Sequence, residues 1–251
     1  MKNWREKHLS FDPARGEQRT PGETRLTEVS LDQLRQKELT HIVSLGPRCA
    51  LAYNLRRYFD FAMAFPFDWW ITPVNGLIKA LACSVGVETL YAQDGLERTK
   101  EGKTVRHRDL QIRFPHEFPH AGELPGRPIV SNFYDHVDGP KRRTTHLVER
   151  FLGLNDPNSR ILFAREPDDF GGDISSQDHA AISAQLARLF PDALWTLAIV
   201  RGPRETDAFG WKCDPECWDS VLRGLDVRLS RDHHVSFVDR ATPISADMAT
   251  L

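Results

Sequence analysis

Short apolar runs alternate with stretches of helical length through the C-terminal half, and this rhythm restricts the fold more than any other feature. ILFAR (161–165) reads as a strand, and residues 175–190 as a helix with Ser175 or Ser176 near its cap. LWTLAIV (194–200) reads as a strand, ECWDSVLRGL (216–225) as a helix whose last turn meets Gly224, and HVSFVD (234–239) as a final strand. Strands that are apolar on both faces need cover on both faces. Strands joined by helices therefore predict an α/β fold of three layers, a mostly parallel sheet with helices on both sides. The same unit occurs earlier. HIVSLG, ended by Gly46 and Pro47, is a buried strand and a turn, and CALAYNLRRYF after it is a helix. That helix places Cys49, Ala52, Tyr53 and Arg56 on one side.

The remaining segments are filled in around this frame. Ser30 can cap a helix containing Leu31 and Leu34, and GLIKALACSV reads as another helix. Residues 92–108 are polar and read as a loop. Leu110, Ile112 and Phe114 alternate in DLQIRF, which suits a half-buried strand stopped by Pro115. RPIVSNF reads as a short strand, and Lys141 to Leu154 as a helix with a basic outer face. Residues 1–26 are charged and punctuated by Gly and Pro, and read as a flexible lead-in. The expected organisation is one α/β domain over 27–240 with a loose tail over 241–251.

At 251 residues the chain can bury a full core without disulfides or metals. A net charge of -2 argues against nucleic acid as a partner. No apolar run approaches the roughly 20 residues of a membrane span, and MKNWREKHLS lacks an apolar signal core. The 4 cysteines are too few for a disulfide framework in a chain this long. A cytoplasmic protein with free thiols is expected, its oligomeric state open.

The chemistry concentrates in Ser44-Leu45-Gly46-Pro47-Arg48-Cys49, between a strand and a helix. A helix N-terminus presents unpaired amides and partial positive charge, which favours a thiolate and can hold a developing oxyanion. Gly46 allows a sharp turn and close approach of a substrate to the backbone. Cys49 is thus a candidate nucleophile, although an inert thiol packing the start of a helix fits the same position. A thiol nucleophile needs a base, and His116 in FPHEF, just after a strand, is the best placed of the 10 histidines. Asp68, among the aromatics of FPFDWW, is the candidate orienting group, since a carboxylate there needs a partner. A core histidine and a helix cap are the plainer readings of these two residues.

SLGPRCALAYNLRR, FPFDWWITP, FPHEF, the basic helix ending ERF and ILFAR, taken in order, resemble a bacterial family of unknown function described as papain-like cysteine peptidases. The likeness runs over about residues 42–200, with Glu117 where that family often has Asp. It implies Cys49 as nucleophile, His116 as base, Asp68 as the F-D-W aspartate and Arg165 as the arginine of the L-F-x-R strand. It also implies a peptide substrate and, as an alternative to the parallel sheet, a papain-like α+β domain. The Cys turn within an α/β layout also resembles the cysteine-containing relatives of SGNH hydrolases, including a capsule-polysaccharide acetyltransferase family. That likeness implies an acyl or glycan substrate, with coenzyme A as a conceivable acyl donor.

Other patterns carry less. Arg48 and Arg165, with Gly46, lie at strand ends where ligands of α/β sheets bind, and guanidinium suits carboxylate or phosphate. A non-catalytic module holding an anionic glycan or nucleotide is therefore the competing class. The turn lacks the glycines of a nucleotide loop. Cys213 and Cys217 with His233 and His234 form a weak zinc pattern, set against an ordinary turn with two thiols.

Overall fold

The computed structural model describes residues 28–121, 128–168, 173–206 and 208–230. The lead-in expected over 1–26, the strand expected over 234–239 and the tail over 241–251 lie outside the described residues.

The described chain opens with a short helix, α1 (Leu31–Arg35), closed by a capping box. Gln33 N–H donates to Ser30 Oγ at 3.3 Å, and Ser30 N–H donates to Gln33 Oε1 at 2.9 Å. β1 (His41–Ser44) follows, then α2 (Cys49–Phe59), a 3-10 turn over Pro66–Trp69, α3 (Val74–Ala82) and α4 (Val87–Leu90). Three short strands come next: β2 (Leu96–Arg98), β3 (Val105–His107) and β4 (Arg113–Phe114). They form an antiparallel sheet in the order β2-β3-β4. The chain continues through α5 (Asp138–Leu152), β5 (Arg160–Arg165), α6 (Ser176–Leu189), β6 (Leu194–Ile199) and α7 (Pro215–Arg223).

β1, β5 and β6 make a parallel sheet in that order, with Val43 beside Phe163 and Phe163 beside Leu197. Successive side chains leave a strand on opposite faces, so each strand feeds two cores. Val43, Ile161, Phe163, Trp195 and Leu197 pack with Leu77, Phe151, Ile182 and Leu186 from α3, α5 and α6. Ile42, Leu162, Ala164 and Ala198 pack with Leu51, Leu55, Trp218 and Leu222 from α2 and α7. The mixed α/β fold expected from the alternating segments is therefore present, with a small antiparallel sheet added. No helix among the described residues is long and apolar enough to cross a membrane.

Three local expectations need correction. Residues 92–108 are not a loop throughout: they contain β2 and β3. Leu96 and Val105 are buried, while Arg106 Nε donates to Glu97 Oε1 at 2.8 Å across the pair. Strands of three residues are too short to show alternation. DLQIRF is a strand only at its end, because Gln111 takes φ +56 and breaks the extended chain, although Leu110, Ile112 and Phe114 are all buried. Described residues of RPIVSNF form a single bridge, Ile129 with His120, before Phe133 opens a 3-10 turn.

Gly76 of α3 sets how closely the segment before β4 can approach. A Cβ there would lie 2.2 Å from the Leu110 carbonyl oxygen, a backbone atom that cannot rotate away. Gly76→Ala is expected to destabilise the fold by about 2 kcal/mol, overpacking outweighing the gain in helix propensity. The midpoint of urea unfolding measures this; an unchanged or higher midpoint would contradict the close approach.

Candidate active site

The turn after β1 is held from several directions. Leu45 N–H donates to the Ala164 carbonyl at 2.8 Å, continuing the sheet by one residue. Gly46 takes φ +83, its N–H donates to Ser44 Oγ at 3.2 Å, and its carbonyl accepts from Glu166 N–H at 3.1 Å. The Gly46–Pro47 peptide is cis, and the Pro47 carbonyl accepts from Thr72 N–H at 3.0 Å. Arg48 is extended at the N-cap, and Cys49 is the first residue of α2.

Arg165 lies beneath this turn with 0% exposure. Its Nη1 donates to the Leu45 carbonyl at 2.6 Å and its Nη2 pairs with Asp168, which also accepts from Val74 N–H at 2.9 Å. Arg48 Nη2 pairs with Glu166 Oε1 at 3.0 Å. Of Gly46, Arg48 and Arg165, the residues expected to contact substrate, Arg165 departs from that expectation, while Arg48 keeps 22% of its side chain exposed. Arg165 is sealed from solvent, the Gly46 backbone is already hydrogen-bonded, and a Cβ on Gly46 would come within 3.0 Å of Arg165 Nη1. Their task is to fix the turn that carries Cys49.

The base arrives from the other sheet. Arg113 of β4 exchanges two backbone hydrogen bonds with Ile71, at 3.0 and 2.9 Å, and His116 follows three residues later. Cys49 Sγ and His116 Nε2 are 3.7 Å apart, within reach for a hydrogen bond to sulfur. Trp69 meets the imidazole edge-on, with centroids 6.3 Å apart and an interplanar angle of 89°. Among the described residues no carboxylate hydrogen-bonds His116, so ring packing holds its orientation.

Asp68 does not orient His116. It is buried, pairs with Arg56 and accepts from Phe65 N–H at 2.8 Å. Burial raises the Asp68 carboxyl above the usual range, opposed by Arg56 and the Phe65 amide. The physical reason for its position is the 3-10 turn over Pro66–Trp69, which points it back at its own N-cap and at α2. Glu117 is likewise engaged, accepting from Trp70 Nε1 at 3.2 Å and from Arg143 at 3.0 Å.

The thiol is not the easily ionised one that a helix N-terminus suggests. Burial pushes Cys49 up to about 12, and the Asp68 carboxylate adds to the rise. The Cys49 amide and the Arg48 guanidinium oppose it but do not prevail. His116 is held below the ordinary imidazole range, first by partial burial and then by His120. Near neutral pH the resting pair is therefore a neutral thiol beside a neutral imidazole.

Several rings at this site carried no functional signal in the sequence. Tyr53, Trp69 and Trp211 form edge-on contacts that reach His116. The position of Tyr53 one turn after Cys49 was legible; Trp211 sits in a loop with no periodicity. For the zinc pattern, His233 and His234 lie outside the described residues, while Cys213 is buried and Cys217 donates to Asp214 Oδ2 at 3.3 Å. No cluster of three metal-ligating side chains occurs among the described residues. No protein-family model, curated protein or solved structure matches the chain.

Two outcomes are expected. Alkylation of Cys49 by iodoacetamide, followed peptide by peptide by mass spectrometry, should rise about tenfold per pH unit through the neutral range without levelling. A plateau below about pH 7 would reveal an ion pair instead. Asp68→Asn should lower stability by about 3–5 kcal/mol, because it leaves the Arg56 charge buried and unpaired. The same variant should speed alkylation of Cys49 by removing a nearby negative charge; slower alkylation would return Asp68 to a catalytic role.

Proposed function

We propose that the chain is a thiol-dependent acyl hydrolase or acyltransferase, with a papain-like peptidase or hydrolase as the first reading. The 3.7 Å contact between Cys49 Sγ and His116 Nε2, at the N-terminus of a helix, is the observation that carries it. A nucleophile on a helix and a base just beyond an antiparallel sheet is close to the division of labour that the motif resemblance implies.

The chemistry follows from the neutral pair. His116 Nε2 takes the thiol proton as Cys49 Sγ bonds to a substrate carbonyl carbon, giving a tetrahedral oxyanion. The first amides of α2 have no carbonyl within the helix to pair with, which makes them the donors available to this oxyanion. The carbonyl re-forms as the bond to the leaving group breaks, and imidazolium Nε2 protonates that group. Cys49 is left as a thioester. His116 then takes a proton from water, hydroxide adds to the thioester carbonyl, and the sulfur leaves and regains its proton. An alcohol in place of water would make the same site an acyltransferase. The parallel sheet behind the nucleophile supports this second, SGNH-like reading, for which coenzyme A is the donor to try. An anion-binding module finds less support, since Arg48 and Arg165 are both paired with carboxylates.

The test is acyl transfer from p-nitrophenyl acetate. Wild-type protein should release p-nitrophenol and carry an acetyl group on the Cys49 peptide. Cys49→Ala should lose both, and His116→Ala should slow acylation by about 10²–10⁴-fold. Turnover in Cys49→Ala equal to wild type would reject the thiol mechanism. A thermal-shift response to coenzyme A would move the reading to an acyltransferase.

A further inference from the structure

The rings around Cys49 exceed what a thiol and a base require. Tyr53 follows Cys49 by one turn on the same face of α2. Its ring meets Trp211 at 5.4 Å, Trp211 meets Trp69 at 6.4 Å, and Trp69 meets His116 at 6.3 Å. With the sulfur–imidazole contact these side chains close a circuit that begins and ends on α2. Buried Asn54 fastens the segment carrying Trp211 to the helix: its Nδ2 donates to the Lys212 carbonyl at 2.8 Å and to Ala50 at 2.9 Å.

Among the described residues the large apolar side chains left exposed are Tyr134, Phe209 and Trp211, and the last two share this loop. Trp211 keeps 41% of its surface exposed, although the segment is anchored. Solvent-facing apolar surface beside a reactive group is the usual mark of a ligand contact.

We propose that Trp211, backed by Trp69 and Tyr53, is a specificity subsite for a flat aromatic group carried beside the scissile carbonyl of the substrate. This rests on the acyl-transfer reading above. The ring contacts are all edge-to-face, with interplanar angles of 73°, 69° and 89°. A further ring against Trp211 continues that geometry and gains more than its buried area alone supplies. The arginines of α2 and its N-cap already have carboxylate partners. Arg56 is paired with Asp68, Arg57 with Asp219 and Arg48 with Glu166. The Lys212 ammonium lies 4.5 Å from the Tyr53 centroid and 6.0 Å from the Trp211 centroid, so it borders both rings, while Trp211 still keeps 41% of its surface exposed.

The subsite is tested with two ethyl thioesters that differ only in the acyl group, acetyl and phenylacetyl, followed by carboxylate release in NMR. Wild-type protein should favour phenylacetyl in kcat/KM by about tenfold or more. Trp211→Ala should cut that preference by about tenfold, Trp211→Phe should keep most of it, and Tyr134→Ala should leave it unchanged. An equal preference in wild type and Trp211→Ala overturns the subsite. If Cys49→Ala hydrolyses both esters as fast as wild type, the acyl-transfer reading has failed, and binding of phenylacetamide to Cys49→Ala judges the subsite alone. Binding weakened about fivefold or more by adding Trp211→Ala supports it; unchanged binding, or none, rejects it.

Discussion

Two neighbouring residues join the two sheets and so decide where the thiol meets the imidazole. Thr72 N–H donates to the Pro47 carbonyl, in the turn before Cys49, while Ile71 exchanges a pair of backbone bonds with Arg113, just before His116. The distance from sulfur to imidazole nitrogen is thus spanned by a short hydrogen-bonded path rather than by loose packing. The turn itself cannot drift, because Arg165 grips the Leu45 carbonyl from below and is in turn held by Asp168. A buried guanidinium is stable only when such partners surround it. Removing one would disturb the position of Cys49 through the turn, without any contact between Arg165 and a substrate.

The electrostatics of the site follow from competition between two effects of one location. The N-terminus of α2 offers amides that favour negative charge, and Arg48 adds to this. Burial and the Asp68 carboxylate act in the opposite sense and win, so the free thiol keeps its proton. The helix amides then matter less for the resting sulfur than for an oxyanion that forms only during reaction. A thiol that ionises only with its base in contact is also protected from stray oxidation and alkylation.

The framework was legible because its residues obey local rules. The apolar runs of β1, β5 and β6 are strands buried on both sides, and Ser30 and Ser175 sit at the helix starts they cap. Cys49 and His116 stand out in the sequence, one from its turn and one from its place after a strand, but their 3.7 Å approach is set by the fold and is not legible there. For Asp68 the sequence shows a carboxylate's need for a cationic partner but does not choose between histidine and arginine; in the fold Arg56 of α2 takes it. The burial of Arg165 is not legible because a strand end suggests access, while its guanidinium turns to the Leu45 carbonyl and Asp168. β2 and β3 escaped notice because three residues hold too little periodicity, and Trp211 because its neighbours in space are 158 residues away along the chain, as the Asn54 to Lys212 bond shows.

The aromatic circuit and the neutral dyad belong to one physical design. Burial raises the Cys49 thiol and lowers the His116 imidazole, and Trp69, packed edge-on against His116, contributes to the burial of the imidazole. A substrate ring placed on Trp211 would extend the apolar surface beside Trp69, which itself packs against His116. Proton transfer from sulfur to nitrogen would then occur in a drier setting, where the helix amides act more strongly on the developing oxyanion. Binding and activation would therefore be coupled through solvent exclusion, with the aromatic group of the substrate completing the environment that its own carbonyl requires.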